Sequence, residues 1–151
     1  MMKKLYKAFE DDLTCKGFQY SPEVLYEHKV KVEICHNGFH ACQRVEGVFN
    51  YYPESKRIWE IEGEVVSSEG DKVVCSSIKL VKELDFVELL TKLAKDEDSD
   101  VRYVVASNPS CSPEDLTKLA KDEDSDVRRA VARNPSCPPE ILAILKEESS
   151  K

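Results

Sequence analysis

The chain of 151 residues is poor in glycine, with five, and in methionine, with two, and it holds a single tryptophan. Scarce glycine matters because phosphate-cradling and dinucleotide-binding loops are built from it. No P-loop, no G-x-G-x-x-G and no G-x-S-x-G nucleophile elbow occurs, which removes those routes to phosphate binding and acyl transfer. Positive charge is also short: 22 lysines and arginines face 29 acidic residues, a net of −7. That balance counts against general binding of nucleic acid or of an anionic membrane. No apolar run approaches the roughly 18 residues of a membrane span. The start, Met1-Met2-Lys3-Lys4-Leu5, lacks the apolar core of a signal peptide. A soluble, cytosolic protein is expected, with one ordinary domain or two very small ones.

What is present is unevenly placed. Residues 1–84 hold every glycine, Trp59, all three histidines, four of five phenylalanines and all tyrosines except Tyr103. Residues 85–151 hold five of the seven prolines and most of the acidic surplus, a net of −5 against −2. Aromatic and β-branched enrichment suits strands, whereas Leu, Ala, Lys and Glu suit helices. The reading is α+β: a β-rich domain with one helix over 1–84, a helical extension over 85–145 and a tail over 146–151.

The extension repeats itself. Thr91–Leu116 and Thr117–Leu142 are identical at 21 of 26 aligned positions, which specifies a solenoid-type unit. Ser112-Pro113-Glu114-Asp115 predicts a capped helix start. Leu116, Leu119 and Ala120 give a short apolar stripe, and Val127, Ala130 and Val131 give the buried face of a second helix. Asn134-Pro135 predicts its end, because a residue before proline resists helical geometry. Asp85-Phe86-Val87-Glu88 has the form of a capping box, and Glu140–Leu145 starts a partial third unit. Cys111 and Cys137 share one repeat position, which suggests packing. An array this short predicts that Phe86, Leu89 and Leu90 dock on the first half.

The L-x-x-L-A-x-D…V-R-x-x-V-A-x-N-P-x-x-P spacing over about 86–145 resembles the leucine-rich repeat variant family. The resemblance implies paired short helices in a right-handed superhelix, a binding scaffold without chemistry. Some members carry an iron–sulfur cluster on closely spaced cysteines, which this chain lacks. The repeated acids, including Asp96, Asp98, Asp122 and Asp124, lack the glycine of a calcium loop and read as helix-capping turns. Arg102, Arg128, Arg129 and Arg133 either line a surface for an anionic partner or pair with the preceding acids.

In the first half, Leu5–Phe9 predicts a strand, and Val30, Val32 and Ile34 alternate with charged residues as a half-buried strand does. Arg57–Val66 and Lys72–Val81 predict two more, joined by a turn at Ser67–Asp71. Cys42–Tyr52 has helical spacing up to Pro53. Cys35-His36-Asn37-Gly38-Phe39-His40-Ala41-Cys42 places two cysteines and two histidines within eight residues. A zinc-stabilised module on Cys35, His40 and Cys42, completed by Cys15 or Cys75, is one reading. C-x6-C is not a usual finger or ribbon spacing, so buried thiols beside a pocket-facing His40 form the simpler one. A nucleophile pair of Cys35 or Cys42 with His28 or His40 is easily drawn and carries little weight.

Leu5-Tyr6-Lys7-Ala8-Phe9, Thr14-Cys15-Lys16-Gly17-Phe18-Gln19-Tyr20, Gly38-Phe39-His40-Ala41-Cys42 and Tyr51-Tyr52-Pro53 resemble a small, uncharacterised domain common in phage and prophage proteins. That implies a viral or mobile-element setting, in the cytosol of a host, and an accessory role. A strand ending near an aromatic and a basic residue, then a G-F-H strand running into a helix with paired tyrosines, is also similar to part of the ADP-ribosyltransferase fold. There the strand-to-helix region holds the nicotinamide end of NAD. Tyr6 and Lys7 stand where that fold wants His or Arg, and no glutamate has a clear catalytic context. The expectation is therefore a non-enzymatic binding protein with no cofactor. Tyr6, Lys7, His40, Tyr51 and Tyr52 would hold a nucleotide-like ligand, and the repeat would contact a host protein or a second copy. An ADP-ribosyltransferase-like or nucleotide-processing enzyme is the rival.

Overall fold

A computed structural model describes residues 1–32, 37–53 and 57–151. The chain is α+β and divides into two compact units, Met1–Leu84 and Asp85–Lys151. The first contains β1 (Met2–Phe9), β2 (Thr14–Cys15), β3 (Phe18–Gln19), β4 (Leu25–Glu27), β5 (Phe39–Cys42), α1 (Val45–Tyr51), β6 (Arg57–Glu69) and β7 (Lys72–Glu83). The main sheet is antiparallel in the order β4-β7-β5-β1-β6, and β6 also pairs with β7. Strands β1, β6, β7 and β5 thus close a ring, and β4 pairs with β7 beyond the stretch that β5 covers.

Closure depends on irregularity in the long β6–β7 ribbon. Gly70-Asp71 is the two-residue connection, with Gly70 at φ 60° and Glu69 facing Lys72. Register shifts fall between Glu60 and Ile61, and on both sides of Val65. Such bulges bend a ribbon and change which side chains face inward. In β7 the inward set accordingly moves from Val73 and Cys75 to Ile78 and Leu80. These join Leu5, Phe9, Ala41, Trp59, Ile61, Cys15 and Tyr20 in one core. The alternation read at Arg57–Val66 holds from Ile61 onward, where Ile61 and Gly63 are buried while Glu62 and Glu64 are exposed, but Ile58 is buried along with Trp59.

Three local expectations change. The strands run through the supposed turn at Ser67–Asp71 as far as Glu69. Residues 29–32 form no strand, and Val30 is exposed; the pairing strand is β4, just upstream, while Ile34 lies outside the described residues. Alternation alone did not supply a hydrogen-bonding edge, and β4 takes the free edge of β7 at Ser77–Lys79. Helix α1 occupies only Val45–Tyr51, because its flanking residues Cys42 and Pro53 belong to a strand and a turn.

The second unit consists of α2 (Phe86–Leu93), α3 (Ser99–Ser107), α4 (Pro113–Leu119), α5 (Ser125–Arg133) and α6 (Pro139–Ser149). The predicted caps are present. Asp85, Asp98, Ser112 and Asp124 accept hydrogen bonds from backbone N–H groups of the first turns that follow them. Leu116, Val127 and Val131 are buried. Helix α6 continues to Ser149, into the segment read as a tail. No helix among the described residues is long and apolar enough to cross a membrane.

Candidate ligand-binding site

Strand β1 sends successive side chains to opposite faces. Leu5, Lys7 and Phe9 share one face, and Tyr6 and Ala8 the other. Two adjoining clefts result, and the neighbours Tyr6 and Lys7 fall into different ones. The larger, about 430 Å3, is lined by Lys7, Tyr20, Tyr26, His28 and Phe39 among others. The smaller, about 140 Å3, has Tyr6, Tyr51, Cys42 and Lys72 in its wall. Lys16, His40 and Tyr52 line both. The five residues singled out in the sequence therefore all reach this paired cleft, with His40 and Tyr52 where its halves meet.

The walls are aromatic. Tyr20 meets Phe18 at 4.7 Å, Tyr26 at 5.1 Å and Phe9 at 5.2 Å between ring centroids, each edge to face. Such contacts hold rings rigidly without polar partners. The Tyr26 hydroxyl accepts a hydrogen bond from the Ser21 N–H at 2.7 Å, fixing the far wall. Burial raises the phenols of Tyr20 and Tyr52 well above their ordinary pKa, so both remain hydroxyl donors at neutral pH.

The floor and rim are cationic. Lys7 is 3% exposed, and its Nζ donates to the His40 carbonyl oxygen at 2.7 Å. Burial pushes its pKa down, opposed by nearby Cys15. Burial also lowers the His40 pKa, and Lys72, Lys16 and Lys7 add to that by repelling a further positive charge. His40 is thus a neutral imidazole surrounded by lysines. Its Nε2, like Nδ1 of His28, is buried without a hydrogen-bond partner among the described residues. Buried polar atoms ordinarily have partners.

Lys16 reaches the cleft through its backbone. Cys15 faces Phe18, so Lys16-Gly17 is a two-residue hairpin turn, with φ of 50° and 79°. Positive φ at both positions is the I′ geometry, which favours Asn-Gly. A lysine held there is uncommon. Sequence reasoning did not place Lys16, Lys72 or the Phe18–Tyr20–Tyr26–Phe39 cluster at the ligand cleft and weighed His28 only in a nucleophile pair, although Lys16-Gly17 between two aromatic runs was a hairpin signal.

The metal reading gains no support among the described residues, where no three His, Cys, Asp or Glu side chains group to hold an ion; Cys35, one of its four members, lies outside them. Cys15 and Cys42 are buried free thiols. Burial and Asp71 push the Cys42 thiol up to about 12, which keeps it protonated rather than a thiolate ligand or nucleophile. The four repeat arginines separate. Arg102 is 8% exposed and belongs to the repeat interior, a correction to its place on a partner surface. Arg128 donates to the carbonyls of Asp122 and Glu123. Arg129 pairs with Asp126, and with Arg133 and Tyr103 it lines an open groove of about 330 Å3.

The molecule is thus a closed antiparallel sheet bearing a cationic, aromatic cleft, followed by a helical repeat. A family profile described as a domain of unknown function (DUF7666) matches residues 3–92. The match spans more than half of the chain, and the chain belongs to that family. Residues 102–150 match the Leucine Rich Repeat Variant domain, in keeping with the repeat. Searches of curated proteins and of solved structures return no match.

Proposed function

We propose that the first unit is a non-enzymatic binding module for an anionic, planar, nucleotide-like ligand, and that the repeat offers a protein-contact surface. The reading rests on His40: a neutral imidazole with a buried, unpartnered Nε2, set among three lysines and flanked by Tyr52. Lys16 and Lys72 at this cleft, in a chain of net charge −7, favour a phosphate or carboxylate, and the aromatic walls favour a flat ring. The larger cleft lies within the usual size of small-molecule sites, about 300–1,000 Å3. The likeness of the GFHAC and YYP segments to phage and prophage domains fits an accessory factor that captures a host ligand or host protein in the cytosol.

Thermal-shift titration of the full chain with NAD, ADP-ribose and cyclic nucleotides tests this. A ligand at one hundred times its Kd adds about 2.7 kcal/mol of stability, a shift that His40→Ala and Tyr52→Phe should reduce. No shift with any of them would hand the function to a protein partner on the repeat. Incubation with NAD followed by chromatography covers the rival: products that depend on His40 would replace the binding module with an enzyme.

A further inference from the structure

Among the described lysines Lys7 alone is buried, and no carboxylate among the described residues lies within ion-pair distance of it. Its strand is paired along both edges, to β6 over its full length and to β5 at Tyr6, so the backbone beneath it cannot shift easily. The side-chain tip lies 5.8 Å from the Phe9 ring centroid and 6.0 Å from that of Tyr20. Its Nζ donates to the His40 carbonyl oxygen at 2.7 Å, and the Cys15 thiol is a second hydrogen-bonding neighbour. Glu27 lines the same cleft without pairing to it.

An ammonium in such a place lacks a counter-charge, and desolvation favours the free amine. Burial does push the Lys7 pKa down, against the opposing influence of Cys15 and Cys42 and with the help of Lys16. A lysine at a cleft wall, desolvated by aromatic rings and with its ammonium form disfavoured by burial, is the usual form of a carbonyl-trapping residue.

We propose that Lys7 forms a reversible imine with a carbonyl group on the cleft's ligand, which is then an anionic, aromatic aldehyde or ketone. This rests on the cleft reading above. In the step, the Nζ lone pair forms a bond to the carbonyl carbon, and a carbinolamine results. The carbonyl oxygen then leaves as water with the two hydrogens of the neutral amine as the C=N bond forms. No oxidant or reductant is consumed. Tyr52 and His40 line the same cleft and can relay the proton that the departing water takes. Strand pairing and the hydrogen bond to the His40 carbonyl hold the amine in the cleft wall.

Pyridoxal 5′-phosphate, an aromatic anionic aldehyde, is a suitable probe, with pyridoxine 5′-phosphate as its carbonyl-free counterpart. The full chain is incubated with each, treated with borohydride and mapped by peptide mass spectrometry, in parallel with thermal shifts. The expected result is a reduced adduct on Lys7 formed at least roughly tenfold faster than on any other lysine, since free amine rises tenfold for each unit by which an ammonium pKa falls. It disappears in Lys7→Arg, whose melting and circular dichroism report folding. Lys16→Gln serves as a second variant, in which the Lys7 adduct persists at weaker affinity. Equal shifts with both probes and no Lys7 adduct would overturn the imine and leave the cleft reading standing. Adducts spread evenly over exposed lysines would also overturn it. No shift and no adduct would overturn both.

Discussion

Arg102 of α3 grips Asp122, in the turn before α5, through two hydrogen bonds, Nε to Oδ2 at 2.7 Å and Nη2 to Oδ1 at 3.0 Å. Its Nη1 also donates to the carbonyls of Asp96 and Glu97 at 2.9 and 3.0 Å. One guanidinium therefore joins the acidic turn of its own repeat to that of the next. Thr91 to Asp115 at 2.7 Å, and Asn134 to the Ala106 and Asn108 carbonyls at 2.7 and 2.9 Å, are further links between repeats.

Replacing Arg102 by Ala should therefore destabilise the helical unit by about 2 kcal/mol, in the range for hydrogen bonds to charged groups. Arg102→Lys should recover little, because a lysine cannot make the forked contact. The Arg102 hydrogen bonds hold the Asp122 carboxyl below its ordinary pKa. A depressed carboxylate contributes its stability in full above the unfolded value near 4, and loses it as pH falls through the lower native value. Acid unfolding of the wild type, followed by circular dichroism, should accordingly have a component below pH 4 that Arg102→Ala lacks.

Gly47 of α1 lies so close to the Asp71 carboxylate that a methyl group at 47 would overlap it. Asp71 also accepts a hydrogen bond from the Arg44 N–H at 2.8 Å at the start of the helix. Gly47→Ala should lower stability by about 1–3 kcal/mol, the usual range for overpacking, despite alanine's higher helix propensity. A denaturant midpoint equal to or above that of the wild type would refute the close approach. In the Asp71→Ala background the cost of the same change should shrink, since contacting residues are not additive.

Burial pushes the thiols of Cys42, Cys75 and Cys111 up to about 12, 11 and 12. Cys137 is half-buried. With a maleimide at neutral pH, Cys137 should label first among these four, and the other three only on unfolding. Mass spectrometry of the native and denatured protein reads this directly. Rapid native labelling of Cys42 would restore it as a candidate nucleophile.

Lys16→Asn separates folding from binding. Asparagine tolerates the left-handed backbone better than lysine, so the unliganded protein should gain about 0.5–1 kcal/mol or stay unchanged. The same variant removes a charge from both clefts and should weaken binding of an anionic ligand. Melting temperatures with and without ADP-ribose check both statements, and an undiminished ligand shift would exclude Lys16 from the site.

The candidate cleft was partly legible. Tyr6, Lys7, His40, Tyr51 and Tyr52 stood out by type and local spacing. The opposite facing of Tyr6 and Lys7 follows from strand alternation alone. Their union with Lys16 and Lys72 did not show, because those lysines are distant in sequence and reach the cleft only through a hairpin turn and a ring of strands. The arginines show the converse. Arg102 and Arg128 occupy the same repeat position, yet Asp122 receives Arg102 in a forked contact, whereas Glu148, at the equivalent place in α6, lines a groove with Arg128 and makes no ion pair with it among the described residues.

By itself the sequence determined what is local: the 26-residue repeat, its capped and proline-terminated helices, and the alternating face of β6 from Ile61 onward. Caps, turn propensities and periodicity act within a few residues, so they can be read from the chain. Tertiary structure alone decided that a chain short of glycine and positive charge gathers three lysines around one histidine. It also decided that Lys7 is buried with no carboxylate paired to it among the described residues. Both depend on which strands pair and where bulges reverse the inward face, and those are set by contacts between residues far apart in sequence.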